Sequence, residues 1–433
     1  MRKRIKTVFV GPQEIAGFLT RISESLADHG VEVTAFKQHV TEMQPKTPND
    51  SRVKWIYKDE ITHLSKKSSL INKLRIFSIK LRVVFYVIFN IDSCLYLGGK
   101  GLFGFPIEYY LYRLLGIRVV HMFVGSASRP RYLSSNAKHV INGSTQSVKK
   151  LASRIVRQSR RVRNFSHAAS LVIENPLCGH FHKDPFVNYF KLGIPIDKNS
   201  FSPSFSKEGQ SIGKDFESIG KIRILHCPSK PEIKGTEKIK RILNPETLRE
   251  LNAELIIKTG VSRETIISEL EKCDFVIDQL YSDTPLAGFA AEAAFFGKMP
   301  IVGGYGWQCI QSIMETNELP PTTMCHPDNL HDTVRSLCTQ NDHGRRRATE
   351  IQNFMESGNW STSEFAKKML SILSGDIEKS WIFDPKLTTY KNGVGLAEEE
   401  SKAIISKLIT TCGLHSLRLK HIPQLEKDFC EWV

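Results

Sequence analysis

The chain is short of acids: 60 Lys and Arg stand against 45 Asp and Glu over 433 residues, a formal charge of +15. From Ile61 to Ile91, and again from Lys149 to Arg163, there is no acidic residue at all. Long apolar runs are missing as well. Nothing approaches the roughly 18 consecutive apolar residues of a membrane span. The amino-terminal MRKRIKTVFVGP has too short an apolar run for a secretion signal and is expected to form a first strand. The nine cysteines include no Cys-x-x-Cys pair; an odd, scattered set in a long chain is expected of a reduced, cytoplasmic protein. His180 and His182 have no Cys or carboxylate cluster beside them, so no metal site is expected. The basic runs lack regularly interleaved aromatics and no recognition motif is present, which argues against nucleic acid as the partner. What remains is ordinary globular composition, 41% hydrophobic and 24% charged, in a chain long enough for two or three domains.

The amino half alternates strands and helices. Residues 5–10 read as a strand, 14–28 as a helix stopped by Gly30, and VEVTAF as the next strand. A helix over 69–90, the strand SCLYL, a helix over 105–115 and the strand IRVVHMFV follow. This βαβ progression implies parallel strands. Its loops near Gly11, Gly98–Gly101 and Gly125–Pro130 should then gather at one edge, where open α/β sheets bind ligands. Residues 198–220, rich in Ser, Gly and Lys, read as a linker. A second alternation starts at KIRILHC, with a helix over 236–248, the strand AELIIK and a helix over 262–272. The expected fold is α/β, with Rossmann-like domains over 1–197 and 221–375 and a tail over 376–433 for which no role is evident.

The stretch 274–300, DFVIDQLYSDTPLAGFAAEAAFFGKMP, carries the most chemistry. A strand over Phe275–Ile277 ends at Asp278, a loop carries Gly288, and an alanine-rich helix runs from Phe289 to Phe296. Free amides and the dipole at such a helix start attract phosphate. Glu292, one turn in, is placed to accept hydrogen bonds from a ribose diol. Glu292, Ala293, Gly297, Lys298 and Pro300 resemble the second half of the donor motif of the retaining GT-B glycosyltransferases of family four. HCPSKPEIKGTEKI, with Lys234 and Gly235, is similar to the turn that lies below the donor diphosphate in that family.

The resemblance spans roughly residues 5–375. It implies two Rossmann-like domains with parallel sheets facing across a cleft, and transfer of a sugar from a nucleotide-sugar donor to an acceptor hydroxyl with retention at the anomeric carbon. No metal or other cofactor is implied. Donor contacts are expected from Glu292, from the amides of Gly288 and Phe289, and from Gly11, Lys230, Gly235 and Thr284, with Lys234 neutralising the departing diphosphate. The chain departs from the family at Thr284, Ser229, Val124 and Ala127, where Glu, Arg, His and Asp are usual. Asp278, Asp283 and His121 are candidate replacements, and Arg129 is expected on the acceptor side.

Residues 149–163, if helical, align Lys150, Arg154, Arg157 and Arg161 beside an apolar stripe, a pattern suited to an anionic membrane surface. Lys66, Lys67, Lys73, Arg75, Lys80 and Arg82 form the other basic segment. The expected partners are a nucleotide-sugar donor, a glycan or lipid-linked acceptor and an anionic membrane. The expected location is cytoplasmic, at the inner face of the membrane, with a role in cell-surface polysaccharide assembly. A catalytically inactive nucleotide-sugar-binding scaffold is the first alternative, and a basic nucleic-acid-binding protein the second.

Overall fold

The computed structural model describes residues 5–38, 52–57, 70–196, 220–339, 341–356 and 358–433. Lys66, Lys67 and linker residues 198–219 lie outside them. Among the described residues thirteen strands make two sheets. β1 (Thr7–Pro12), β2 (Glu32–Ala35), β3 (Val53–Trp55), β4 (Ser93–Leu97), β5 (Arg118–Met122), β6 (Leu171–Glu174), β7 (Phe186–Asn188) and β13 (Ile382–Phe383) form an eight-stranded sheet. Its order is β3-β2-β1-β4-β5-β6-β7-β13, parallel throughout except for the β7–β13 pair. β8 (Ile222–His226), β9 (Ala253–Ile257), β10 (Phe275–Gln279), β11 (Met299–Gly303) and β12 (Thr323–Cys325) form a second, all-parallel sheet of order β9-β8-β10-β11-β12.

A parallel sheet is buried on both faces, so its strands read as nearly continuous apolar runs. In β1 and β4, Val8, Val10, Leu95 and Leu97 point into one core, and Phe9, Cys94 and Tyr96 into the other. The first core is covered by the helices Phe18–Ala27 and Thr362–Ser374, whose Phe18 and Phe365 rings sit 6.3 Å apart. The second core is covered by the helices Leu70–Asn90, Ile107–Leu114 and Thr145–Ala168. The helix expected over 236–248 is two helices, Thr236–Ile242 and Pro245–Glu250, because Asn244 caps a fresh start ahead of a proline.

The tail returns to the amino-terminal sheet. β13 pairs with β7, and the helices Glu398–Cys412 and Pro423–Trp432 add Ile404, Leu408, Leu425 and Phe429 to the second core. The chain from the Thr362–Ser374 helix onward thus completes the first domain.

Glu108 starts the Ile107–Leu114 helix and points inward, where its Oε1 accepts from the Leu102 amide at 2.7 Å. Burial pushes its carboxyl up to about 7, against the opposing effect of backbone donors and Lys80. Between the ordinary carboxylate value and about 7 the unfolded chain has released this proton and the folded chain still holds it. Stability therefore falls as pH rises through that window, by about 3 kcal/mol in all at 1.36 kcal/mol per pH unit. In Glu108→Gln, which keeps an acceptor for Leu102, this loss should vanish. Denaturant unfolding at pH 5 and pH 8 compares the two proteins directly.

Candidate functional site

In the five-stranded sheet the chain order reverses between β8 and β10. The loops leaving these strands run to opposite sides, and in open α/β sheets such a reversal is where a ligand crevice forms at the carboxyl ends. The exit of β8 runs through Lys230, which is exposed, into a single turn, Pro231–Lys234. Gly235 ends that turn at φ +78°, and a Cβ there would lie 2.8 Å from the Leu280 Cβ. A glycine is needed on both counts: the left-handed backbone and the close approach of β10's exit. This brings Lys234 over β10. Its Nζ lies 2.9 Å from Asp278 Oδ1, and its carbonyl accepts from the Leu280 amide at 2.9 Å. Asp278 is buried within β10, and its Oδ2 has no hydrogen-bond partner. One ammonium donor is committed to Asp278; the side chain remains 17% exposed, a cation at the crevice mouth. Beneath it, buried His226 donates from Nδ1 to the Ile277 carbonyl at 2.7 Å and accepts at Nε2 from Thr236 at 2.9 Å.

The next helix, Gly288–Phe295, begins one residue earlier than the sequence suggests. Ala287 precedes it and no side chain caps it, and a Cβ on Gly288 would meet nothing within 4 Å. The first amides are open to an incoming acceptor. Glu292 lies one turn in, 16% exposed, with Oε1 3.1 Å from Arg263 Nη1 and 3.9 Å from Arg21 Nη1. Arg21 belongs to the other domain's first helix. Thr284, where the family has a second Glu, is a turn residue. Its hydroxyl donates to the Leu286 carbonyl at 3.2 Å, and its amide donates to Ser282 Oγ at 3.1 Å.

Further contacts set this edge against the carboxyl edge of the first sheet. Arg129 grips Asp283 through Nε at 2.7 Å and through Nη2, with the two side chains 13% and 7% exposed. Asn175 Nδ2 donates to the Asp283 carbonyl at 2.9 Å. The tail threads the junction: the Val394 amide donates to Leu133 at 3.1 Å, Gly395 to Tyr281 at 3.4 Å and Glu398 to the Tyr305 hydroxyl at 3.2 Å. Two Rossmann-like domains with facing edges are the GT-B arrangement expected from the sequence.

Several expectations for single residues are corrected here. Arg129 and Asp283, expected as an acceptor contact and a catalytic replacement, neutralise each other in a buried clasp between the domains. His121 is fully buried, its Nε2 donating to the Gly98 carbonyl at 2.9 Å and its Nδ1 accepting from Tyr109 at 2.7 Å. Burial lowers its pKa to about 3, so it is a neutral bracket for the β4 exit and out of reach of substrate. Gly11 is a packing glycine, since a Cβ there would sit 2.8 Å from the Phe36 carbonyl oxygen. The start of the adjacent helix is closed to anions by the chain's own Glu14. Its carboxylate accepts from the Leu19 amide at 3.0 Å and pairs with Lys37 at 2.9 Å. The arginine stripe is uneven: Arg154 and Arg157 are exposed, while Arg161 turns inward to donate to the Ala127 carbonyl at 3.2 Å. Sequence reasoning missed Arg21, Arg263 and Arg131. Of these, only Arg131 carried a local signal, in RPRYL two residues beyond Arg129.

No family model matches the chain, and no curated protein is similar to it in sequence. Solved structures are similar in arrangement. WaaG, a glycosyltransferase involved in lipopolysaccharide biosynthesis, is 12% identical, with 86% of this chain and 100% of that one covered at a TM-score of 0.47. The catalytic domain of starch synthase IV from Arabidopsis thaliana, bound to ADP and acarbose, is 10% identical over 86% and 99% of the chains, at 0.49. HepE from Anabaena, in complex with UDP and glucose, is 15% identical over 86% and 100%, at 0.48. At these identities the likeness concerns arrangement and says nothing of shared residues.

Proposed function

We propose that this protein is a nucleotide-sugar-dependent glycosyltransferase, of the retaining family-four type, that modifies a glycan or lipid-linked acceptor at a membrane surface. The observation that carries the reading is the β8/β10 crevice. It combines a mostly buried lysine cation, an uncapped helix start and a carboxylate one turn further along. A donor diphosphate fits between the Lys234 ammonium and the amides of Gly288 and Phe289, and a ribose diol fits Glu292. Arg263 and Arg21 hold that carboxylate in place, and it stays 16% exposed. The chemistry such a site offers is stabilisation of charge on the departing diphosphate, with orientation of the acceptor from the opposite domain.

A nucleoside diphosphate that binds the fold must raise its melting temperature by mass action. One base among UDP, ADP and GDP should do so, and Glu292→Gln should reduce the shift while leaving the ligand-free melting temperature close to that of the wild type. No shift with any of the three would sink the reading. Binding without turnover would favour an inactive scaffold, the alternative motivated by Thr284 and by the committed Arg129.

The membrane part rests on the first of the two basic segments and not on the arginine stripe of the Thr145–Ala168 helix. Among the described residues no helix is long and apolar enough to cross a membrane. The helix Leu70–Asn90 buries Ile79, Val83 and Val87, yet its other side exposes Leu70, Leu74, Phe77, Phe85 and Phe89, Phe89 by 79%. The neighbouring helix Ile107–Leu114 exposes Ile107 and Leu114, the latter by 84%. Phe77 contacts Phe103, in the loop that leads into the second helix, at 5.7 Å between rings. Lys73, Arg75, Lys80 and Arg82 stand on the first helix. An apolar face of this size edged by cations suits insertion among anionic headgroups. A cavity of about 790 Å³ bounded by Tyr110, Leu114, Ser166 and Leu171 opens from the same face. Leu74→Glu/Phe77→Glu should cut sedimentation with anionic vesicles at least tenfold, since about 3 kcal/mol of burial is replaced by charge. Binding that survives this change and disappears in salt would mean simple adsorption.

A further inference from the structure

From the convergence of Arg131, Arg154, Arg157 and Arg161 at the carboxyl edge of the eight-stranded sheet, we infer that these four side chains seat a phosphate monoester or diphosphate group of the acceptor. The inference rests on the glycosyl-transfer reading and specifies the acceptor's charge. Residues 154, 157 and 161 fall on one stripe of the Thr145–Ala168 helix. Arg131 opens the short turn Arg131–Leu133, directly after the loop that carries Gly125–Pro130. That loop is pinned to the same helix: Gln158 Nε2 donates to the Arg129 carbonyl at 2.8 Å, and Arg161 Nη2 to the Ala127 carbonyl at 3.2 Å.

Among the described residues none of the four arginines pairs with a carboxylate. They act instead on one another. Arg131 is pushed below the ordinary arginine range by burial and then by Arg154 and Arg157, and Arg161 by burial and then by Arg131. Unrelieved repulsion of this kind is an arrangement that a polyvalent anion stabilises. Arg161 Nε is also buried with no partner, so the protein leaves this guanidinium incompletely satisfied. Guanidinium groups present planar forks that match phosphate oxygens in pairs.

The position supports a substrate role. Arg161 Nη2 lies 3.5 Å from where a Gly99 Cβ would be, and the Gly99 amide donates to Gln13 Oε1 at 2.8 Å. Gln13 and Gly99 follow β1 and β4, the two strands between which this sheet's order reverses. The seat is therefore the first domain's own crevice, set against the Lys234 crevice by the Arg129–Asp283 clasp. The loop leaving Gly99 leads into the Ile107–Leu114 helix with its exposed apolar side. A lipid-linked phosphate would thus have its charged part in the seat and its apolar part beside the membrane-facing helices.

The test uses inorganic pyrophosphate, anionic vesicles and three proteins: wild type, Arg154→Gln/Arg157→Gln and Lys234→Met/Asp278→Asn. Both arginines of the first variant are exposed, and their removal relieves like-charge repulsion, so its melting temperature should not fall. Calorimetry should show pyrophosphate affinity lowered at least about tenfold in the arginine variant, the equivalent of one charge-assisted contact. The lysine variant should retain affinity at this seat. The nucleoside diphosphate thermal shift and vesicle sedimentation should be unchanged in the arginine variant. Undiminished pyrophosphate binding in that variant overturns the seat. Loss of vesicle binding with pyrophosphate binding intact overturns it in favour of a headgroup contact. Arginine-dependent pyrophosphate binding in a protein that binds no nucleotide would overturn the acceptor assignment, and the glycosyl-transfer reading would fail separately.

Discussion

Replacing Arg129 by Met is expected to lower the free energy of unfolding by roughly 3–5 kcal/mol, the usual consequence of removing one partner of a buried ion pair. The guanidinium holds Asp283 through two nitrogens, and Asp283 is nearly sealed, with the Cys178 thiol 3.3 Å away and Asn175 on its backbone carbonyl. Without Arg129 a carboxylate is left in a poorly hydrated junction with only weak neutral donors. The double variant Arg129→Met/Asp283→Asn should recover most of the loss, because no uncompensated charge remains. Denaturant unfolding of the two single variants and the double variant closes the cycle. If Arg129→Met alone falls by less than about 1 kcal/mol, the two domains are not clasped here and the facing edges need another explanation.

The second large effect concerns the reaction. In Lys234→Met the rate of the proposed sugar transfer should drop by about 10²–10³, the range found when one fixed donor to a developing charge is removed. The substitution also strands Asp278, which is 1% exposed with one oxygen already unpartnered, so loss of fold has to be separated from loss of chemistry. Lys234→Met/Asp278→Asn separates them. Removing both charges should restore the melting temperature toward that of the wild type and leave the rate low. A double variant that regains activity along with stability would show that Lys234 supports the β10 exit and does not meet the diphosphate. Lys234→Arg is an informative third member. A guanidinium keeps the charge but cannot occupy the single ammonium position against Asp278 Oδ1 without moving, so partial activity is expected.

Most of the elements were legible in the chain. The strands TVFVGP, SCLYL and FVIDQ are rich in apolar residues because their sheets are covered on both faces, and helix starts coincide with Ser144, Asn244, Ser262 and Ser361, whose side chains accept from first-turn amides. Lys234, Gly235 and Asp278 meet where β8 and β10 end, and Gly288 and Glu292 follow on the helix after β10, because strand order alone decides which loops share a sheet's edge. These are properties of a residue and its near neighbours in sequence, so a one-dimensional reading reaches them.

The misplaced residues share a different property. Arg129 and Asp283 are 154 positions apart, and neither has any local sign of the other. His121 lies in a strand where alternation shows that it points inward but not that Tyr109 and Gly98 will take both its nitrogens. The tail reads as a surplus helix because its partner surface, the flank of the Thr145–Ala168 helix, is assembled from residues more than 200 positions earlier. The apolar side of the Leu70–Asn90 helix hides in a composition that is apolar all round, and only the packed sheet shows which half remains uncovered. The amino-acid sequence by itself determined the two parallel sheets, the crevice residues and the surplus of positive charge, since periodicity, caps and composition act over a few residues. Only the tertiary structure decided which charges are neutralised, which arginines remain free to bind an anion and which apolar face stays open. Those outcomes depend on distances between parts of the chain that only folding brings together.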